Sequence, residues 1–110
     1  MKFADKIRIT RLIDVYGGLL TQKQLDYLIF YYDEDLSLNE IGEYFKISRQ
    51  AVSENLRRSV QQLENYENKV GLLSRLDQLD NLLNKIENMN SSTPKLVKEI
   101  RKIMDFERGN

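Results

Sequence analysis

Residues 37–59 have the sequence SLNEIGEYFKISRQAVSENLRRS, and this stretch decides the fold. Ser37 followed three residues later by Glu40 is a capping box, which predicts the start of a short helix. Apolar residues then recur at helical spacing and predict one buried face. Ser48 predicts the cap of a second helix that carries Val52 inward. The stretch therefore predicts a helix-turn-helix, with a plain helical hairpin as the alternative.

The turn between the two predicted helices constrains the residues around it. The helices can approach closely only beside a small residue, and Gly42 stands at that position. Lys46 and Ile47 form the predicted turn, and Ile47 is its apolar plug. Glycine is common where Lys46 stands, so we expect some backbone strain there. Leu56 is expected to make the last apolar contact, one position later than the usual pattern, which would place it at Asn55.

The exposed start of the second helix is the predicted nucleic-acid interface. Its polar and basic side chains are Ser48, Arg49, Gln50, Ser53, Arg57 and Arg58. Such side chains bond to phosphates and base edges when a helix of this kind lies in a groove of the nucleic acid. The chain has 17 basic and 17 acidic residues and so no net charge. Because phosphate neutralisation supplies most non-specific affinity, we expect weak binding that depends on a dimer or a partner.

Composition excludes several other kinds of protein. The 110 residues include no cysteine and no histidine, which removes thiolate sites, the commonest metal ligand and the commonest general base. We therefore predict no enzyme, no metal and no cofactor. The acidic run 33–35 could hold a cation, but a solvated loop is the preferred interpretation. No membrane span or signal peptide is predicted, and the cytoplasm is the expected compartment.

Two helices are predicted ahead of this motif. The first covers 6–16 and is expected to end at 17–18, where glycine can adopt the left-handed conformation. Thr21 and Gln24 form a second capping box, which starts a helix that runs to about Tyr32. The aromatic residues of that helix are expected to pack in the core rather than to stack on bases. The apolar positions predicted for the first helix are Ile7, Leu12, Ile13 and Tyr16.

The helical pattern continues beyond the motif, and Gly71 shifts its phase. The segment is either one kinked helix or two helices that meet near Gly71. A break is predicted at 88–93, followed by a last helix with Thr93 as its cap and Pro94 at its first position. A leucine-rich stripe is predicted to pack within the chain, to form a homodimer interface, or to do both. Its members are Leu72, Leu76, Leu79, Leu83 and Ile86.

The whole pattern predicts an all-α protein. It combines a small helical bundle, which contains the helix-turn-helix, with a long leucine-rich C-terminal extension. We predict a helix-turn-helix domain at 1–70 and a C-terminal packing or dimerisation segment at 71–110.

A family resemblance is carried by the same residues. The stretch 37–59 resembles the fourth region of bacterial sigma factors. The order L-T-x-K-Q, Y-Y-x-E-D-x-S-L-x-E-I, S-R-Q-A-V and L-R-R resembles the YlxM-like helix-turn-helix proteins of Gram-positive bacteria more specifically. The similarity is strongest from Leu20 to Tyr66. The chain is too short to hold the polymerase-binding domains of a working sigma factor.

The resemblance implies a function in protein targeting. That family is linked by gene neighbourhood to Ffh, the protein of the signal recognition particle. The resemblance therefore implies a nucleic-acid-binding regulatory or accessory protein of that pathway, with DNA or the particle's RNA as its ligand and Ffh as a candidate partner. The alternative is a dimeric DNA-binding transcription regulator unconnected with protein targeting. A homodimer is expected in both cases.

Overall fold

The computed structural model describes residues 3–89 and 94–105, which form six α-helices and no strand. The predicted all-α fold is confirmed. The helices are α1 (Phe3–Tyr16), α2 (Gln22–Leu28), α3 (Leu38–Phe45), α4 (Arg49–Val70), α5 (Leu72–Met89) and α6 (Pro94–Met104).

The first helix buries a different face from the one predicted at its start. Ile9 is 8% exposed, whereas Ile7, which was expected to point inward, is 47% exposed. Ile9 shares a stripe with Leu12, Ile13 and Tyr16 at spacings of three, four and seven residues, so it continues the buried face. Helix α1 ends before Gly17 as predicted, but the expected left-handed conformation at 17–18 was wrong. Gly17–Leu19 is a 3-10 turn, and Gly71 is the glycine with positive φ in the described chain.

The second helix starts as predicted and stays helical through the predicted end near Tyr32, but its winding changes on the way. The Thr21 side chain accepts a hydrogen bond from the Gln24 amide at 3.2 Å, and the Gln24 side chain accepts one from the Thr21 amide at 3.0 Å. Regular α-helix stops at Leu28, and Ile29–Asp33 continues as a π-helical turn. Side-chain periodicity does not distinguish these two windings, because both place successive apolar groups on one side.

Aromatic side chains of this segment pack against α3, as predicted. Tyr27 is buried, and its ring centroid lies 4.4 Å from that of Phe45. Phe30 lies 5.8 Å from Phe45 and makes an edge-to-face contact with Tyr44 at 5.0 Å. These geometries are favourable for aromatic pairs and fasten the start of the motif to the bundle.

The core surrounds α4, which contacts α1, α2, α3 and α5. One cluster of buried apolar side chains spans the first five helices. Its members are Ile9, Leu12, Ile13, Tyr16, Tyr27, Leu28, Tyr32, Ile41, Val52, Leu56, Leu63 and Leu73. Because α4 touches every other helix of this cluster, its position is fixed along most of its length.

Gly71 separates α4 from α5, which resolves the choice between one helix and two. Its φ of 68° is left-handed, and its amide donates to the Glu67 carbonyl at 2.8 Å. This is the usual way in which glycine ends a helix.

A hydrogen-bonded node fixes the start of α5 against α1 and α4. The Glu67 carboxylate accepts hydrogen bonds from the amides of Leu73 at 2.9 Å and Ser74 at 3.1 Å. The Tyr16 hydroxyl donates to the same carboxylate. Glu67 therefore caps the free amides at the N-terminus of α5 and ties that helix to the rest of the bundle.

The C-terminal helices bury few of their apolar side chains. Leu83 and Val97 are 5% and 1% exposed, and Arg101 of α6 pairs with Asp80 of α5. The exposed apolar residues are Leu79, Leu82, Ile86, Met89, Leu96, Ile100 and Ile103. Pro94 is the first residue of α6, as predicted.

The predicted break before α6 is tested only at its start. Helix α5 continues to Met89, so residues 88–89 are helical, and the rest of the break and the predicted cap Thr93 lie outside the described residues.

Candidate nucleic-acid interface

Helices α3 and α4 form the predicted helix-turn-helix. The Ser37 side chain accepts from the Glu40 amide, and the Glu40 carboxylate accepts from the Ser37 amide, both at 3.0 Å. The capping box that was read from the sequence is therefore present. These hydrogen bonds lower the pKa of Glu40, so the carboxylate stays charged beside the positive end of the helix dipole.

Gly42 lies where the motif is tightest. A Cβ at this position would stand 2.7 Å from the backbone oxygen of Ile47. The Ile47 amide also donates to the Gly42 carbonyl at 2.9 Å. The close partner is the turn backbone, which cannot rotate away as a side chain can. The small residue is therefore required by the turn itself, in addition to the approach of α4.

Lys46 adopts the left-handed conformation, which agrees with the backbone strain expected at this position. Its φ is 59° and its ψ is 45°, and its amide donates to the Gly42 carbonyl. This conformation is unfavourable for a residue with a Cβ. It reverses the chain within two residues and aims α4 away from α3.

The start of α4 is held by Ser48. Its side-chain oxygen accepts from the Ala51 amide at 3.0 Å. The hydroxyl proton stays available, so Ser48 can cap the helix and still donate to a phosphate oxygen. The predicted capping role of Ser48 is therefore confirmed, and its predicted binding role is compatible with it.

The two faces of α4 divide as predicted. Val52 and Leu56 are buried against the core. Arg49, Gln50 and Ser53 are exposed on the first turns of the helix. Arginine and glutamine can each make paired hydrogen bonds to a base edge, and serine can bond to either a base or a phosphate.

The arginines of this surface are not equivalent. Arg57 donates to the Glu54 carboxylate at 2.6 and 3.1 Å, and Arg58 donates to it at 3.1 Å. The hydrogen bonds from Arg57, with the charge of Arg58, lower the pKa of Glu54 to about 2. Within the described chain Arg49 has no acidic partner. Glu54 was not among the predicted interface residues, although it binds two of the three arginines.

A groove on one side of α4 brings an aromatic residue to this surface. It has a volume of about 290 Å³, and Tyr31, Ser53 and Arg57 are among its lining residues.

The acidic run does not gather into a metal site. Residues 33–35 are exposed, and Asp35 pairs with Lys6 at 3.0 Å. No group of three or more acidic side chains in the described residues has the arrangement of a metal site. None of the described helices is long and apolar enough to cross a membrane.

Comparison with known proteins identifies the family. A family profile described as "Putative helix-turn-helix protein, YlxM / p13 like" matches residues 3–103. The chain belongs to this family, UPF0122. UPF0122 proteins of Bacillus thuringiensis (strain Al Hakam), Bacillus mycoides (strain KBAB4) and Bacillus anthracis (strain A0248) are each 40% identical to it over 98 residues. The alignments cover 89% of this chain and 89% of each relative.

UPF0122 membership confirms the resemblance to YlxM-like helix-turn-helix proteins that was drawn from the sequence. The matched residues include the whole of α3 and α4 and nearly all of the C-terminal pair. The family description and the geometry agree on a helix-turn-helix, a motif that supports nucleic-acid binding in a regulatory role.

Proposed function

We propose that the protein is a nucleic-acid-binding regulatory or accessory factor that binds through the start of α4. One observation carries this proposal: Arg49, Gln50 and Ser53 are exposed together on a helix whose opposite face is anchored in the core. A rigid helix can present hydrogen-bonding groups to base edges without first being ordered, which lowers the entropic cost of binding.

Phosphate contacts would come from the next turn and from the cap. Arg57 has a further donor, Nη1, which bonds to the Gln61 side chain at 3.3 Å. A phosphate could replace that exposed and neutral acceptor at little cost. Ser48 would add its hydroxyl proton. Glu54 weakens this surface, because its charge opposes a phosphate while it holds both neighbouring arginines.

The test is a titration of labelled nucleic acid followed by fluorescence anisotropy. Arg49→Ala should weaken binding to a preferred sequence by about 1–3 kcal/mol, because a paired contact to a base edge is lost. Glu54→Gln should strengthen binding, because it removes the opposing charge. Lys98→Ala removes an exposed cation on α6 and is the control. Equal affinities of Arg49→Ala, Lys98→Ala and the parent would refute a binding role for the start of α4.

We propose further that this activity serves the signal recognition particle pathway. Family membership supports this proposal through the YlxM resemblance. The zero net charge supports it too, because a neutral protein gains little from phosphate attraction alone and benefits from a second contact. Ffh or the particle's RNA would supply that contact.

The alternative is a dimeric transcription regulator unconnected with protein targeting. The helix-turn-helix geometry favours B-form DNA, because the major groove of A-form RNA is too narrow for a helix. Pull-down from cell extract with the parent and with Arg49→Ala separates the two proposals. Recovery of the particle's RNA or Ffh supports the first, and enrichment of one DNA fragment supports the second.

Both proposals use a homodimer. We propose that residues 1–70 bind nucleic acid and that 71–110 pair with a second copy through Leu79 and Ile86, with Leu72 and Leu76 at the edge. Leu79 and Ile86 are 46% and 41% exposed, whereas Leu83 is already covered within its own chain. Leu79→Glu with Ile86→Glu should therefore give monomers that keep the helical bundle. Light scattering measures the mass, and a parent mass of one chain would refute the dimer.

A further inference from the structure

A second groove follows α4 beyond the helix-turn-helix. It has a volume of about 410 Å³ and is lined by Arg58, Gln61, Gln62, Asn65, Tyr66 and Lys69. Arg58, Gln62, Asn65 and Lys69 are spaced by four, three and four residues, so they form one stripe along the helix surface. We refer to this site as the α4 groove.

The side of the α4 groove that faces the bundle is preorganised. The Gln24 side chain donates to Gln62 at 3.2 Å, and Gln62 donates to the Tyr66 hydroxyl at 2.8 Å. The Tyr66 hydroxyl donates to the Leu19 carbonyl at 3.4 Å. The chain of hydrogen bonds fixes Gln62 and Tyr66 from behind and leaves the outer side chains to meet a ligand.

The charge of the α4 groove favours an anion. None of its described lining residues is acidic, and Arg58 and Lys69 are cationic. Lys69 has no acidic partner in the described part of the chain, whereas Arg58 shares Glu54 with Arg57. A groove beside α1 and α5 is the opposite case, because Asp14, Asp77, Asp80 and Asp105 all line it. Although the whole protein has no net charge, its basic and acidic side chains therefore line different grooves.

Two of the three acids of α4 are directed away from the α4 groove, and Glu54 is the exception because it pairs with Arg58. Glu64 accepts two hydrogen bonds from Arg8 of α1, at 2.7 and 2.8 Å. Glu67 caps α5. These two carboxylates therefore make contacts within the chain, and the side chains that line the α4 groove are amides, a tyrosine and cations.

The position of the α4 groove relates it to the start of α4. At 1.5 Å per residue, Arg58 lies about 14 Å along the helix from Arg49, and Lys69 lies about 30 Å from it. The major groove of B-DNA is about 12 Å wide, so a straight helix with its first turns among base edges passes a phosphate strand before it ends. Amides and cations at that distance match phosphate and sugar oxygens.

We propose that the α4 groove binds the sugar–phosphate backbone of the same nucleic acid whose bases face Arg49 and Gln50. The inference rests on the proposed nucleic-acid binding and extends its contact surface along the rest of α4. Contacts to the backbone carry no sequence information, so the α4 groove would set affinity and orientation while the first turns of α4 set specificity.

Two substitutions test the α4 groove. Lys69→Gln removes its unpaired cation, and Asn65→Asp adds a carboxylate with almost no change in shape. The controls are Lys98→Gln on α6 and Asn81→Asp on α5, which make the same charge changes at exposed positions. Anisotropy titrations use a labelled DNA duplex and a labelled RNA hairpin, at several salt concentrations.

The salt dependence gives the expected result. Loss of one phosphate contact makes the slope of log affinity against log salt shallower by about 0.9. When the salt concentration rises fourfold, the affinity of the parent should therefore fall by a factor about 3.5 times larger than that of Lys69→Gln. Asn65→Asp should weaken binding by the same factor for every sequence of one nucleic acid. The probe whose affinity falls, DNA or RNA, identifies which backbone the α4 groove holds.

The outcomes separate the two proposals. If Lys69→Gln and Asn65→Asp bind like their controls while Arg49→Ala binds weakly, backbone binding by the α4 groove is refuted. The proposal that the start of α4 binds nucleic acid is then still supported. If Lys69→Gln loses affinity and Arg49→Ala does not, the α4 groove is supported and the base-reading role of Arg49 is refuted. If all variants bind like the parent, both proposals fail.

Discussion

The bundle formed by α1–α4 buries its large apolar side chains more completely than the pair formed by α5 and α6. In the bundle, large side chains such as Leu12, Ile41 and Leu63 are fully buried. In the pair, Leu82 is 54% exposed and Ile103 is 84% exposed. The bundle therefore obtains its stability from its own core, whereas the pair leaves apolar surface that a second copy could cover.

The largest effect is expected inside the bundle. Leu63→Ala should lower the free energy of unfolding by about 2–5 kcal/mol, because it leaves a cavity at a fully buried position. Leu82→Ala is the matched change in the pair, and it should alter the stability of a dilute sample by less than about 0.5 kcal/mol. Urea denaturation measures both. Equal losses would mean that the pair is as well packed as the bundle.

The next effect concerns the turn of the helix-turn-helix. Gly42→Ala should cost about 1–3 kcal/mol, because its Cβ meets backbone that can relax only by moving α4. Gly18→Ala is the control, since a Cβ there has no atom within 4 Å. Thermal unfolding measures the two. An unchanged melting temperature for Gly42→Ala would show that the turn can open without cost.

A smaller effect is expected at the node that joins the two regions. Glu67→Gln should cost about 0.5–2 kcal/mol at neutral pH, the usual range for a lost helix cap. Glu64→Gln is the control on the same helix, because its exposed pair with Arg8 is worth less than about 1 kcal/mol. Denaturation of both variants checks the difference, and a larger loss for Glu64→Gln would contradict it.

The same node gives a pH dependence. Partial burial opposes ionisation of Glu67, but the hydrogen bonds from Tyr16, Leu73 and Ser74 outweigh it and hold the pKa below its ordinary value. A carboxylate whose pKa is lowered by folding stabilises the protein above its unfolded pKa and loses that contribution as the pH falls through the folded pKa. The parent should therefore lose its advantage over Glu67→Gln in acid. A constant advantage from neutral pH to below about 4, the ordinary range of a glutamate, would contradict this assignment.

The smallest effect on stability is expected from removing an unsatisfied hydroxyl group in the bundle. The hydroxyl of Tyr27 is buried and has no hydrogen-bond partner in the described chain. Tyr27→Phe should leave stability unchanged or raise it by up to about 1 kcal/mol, because it removes an unsatisfied polar group. Tyr44→Phe changes a side chain that is 67% exposed and is the control. A clear loss of stability in Tyr27→Phe would reveal a partner for the hydroxyl.

Local signals predicted much of the bundle. Capping residues are read within four positions of the chain, and Thr21, Ser37 and Ser48 all cap helices as expected. The requirement for Gly42 and the strain at Lys46 also follow from the helix-turn-helix pattern, which fixes a turn of known length. These features could be predicted because each depends on neighbours in sequence.

Contacts between distant residues could not be predicted in this way. The ion pair of Arg8 with Glu64 joins positions 56 residues apart, and the cap that Glu67 gives to α5 depends on how α4 ends. The burial of Leu73 follows from that same junction and not from the leucine stripe. The pairs of Glu54 with Arg57 and Arg58 are different, because spacings of three and four residues on a helix could have indicated them.

The uninterrupted helix from Arg49 to Val70 has a consequence for the spacing of any target. It is anchored in the core along its length, which holds its first turn at a fixed distance from the start of α5. Two copies joined through α5 and α6 would therefore hold the first turns of their α4 helices at one fixed separation. Successive major-groove faces of B-DNA recur about every 34 Å. The protein would then select a target by the interval between two half-sites as well as by their bases.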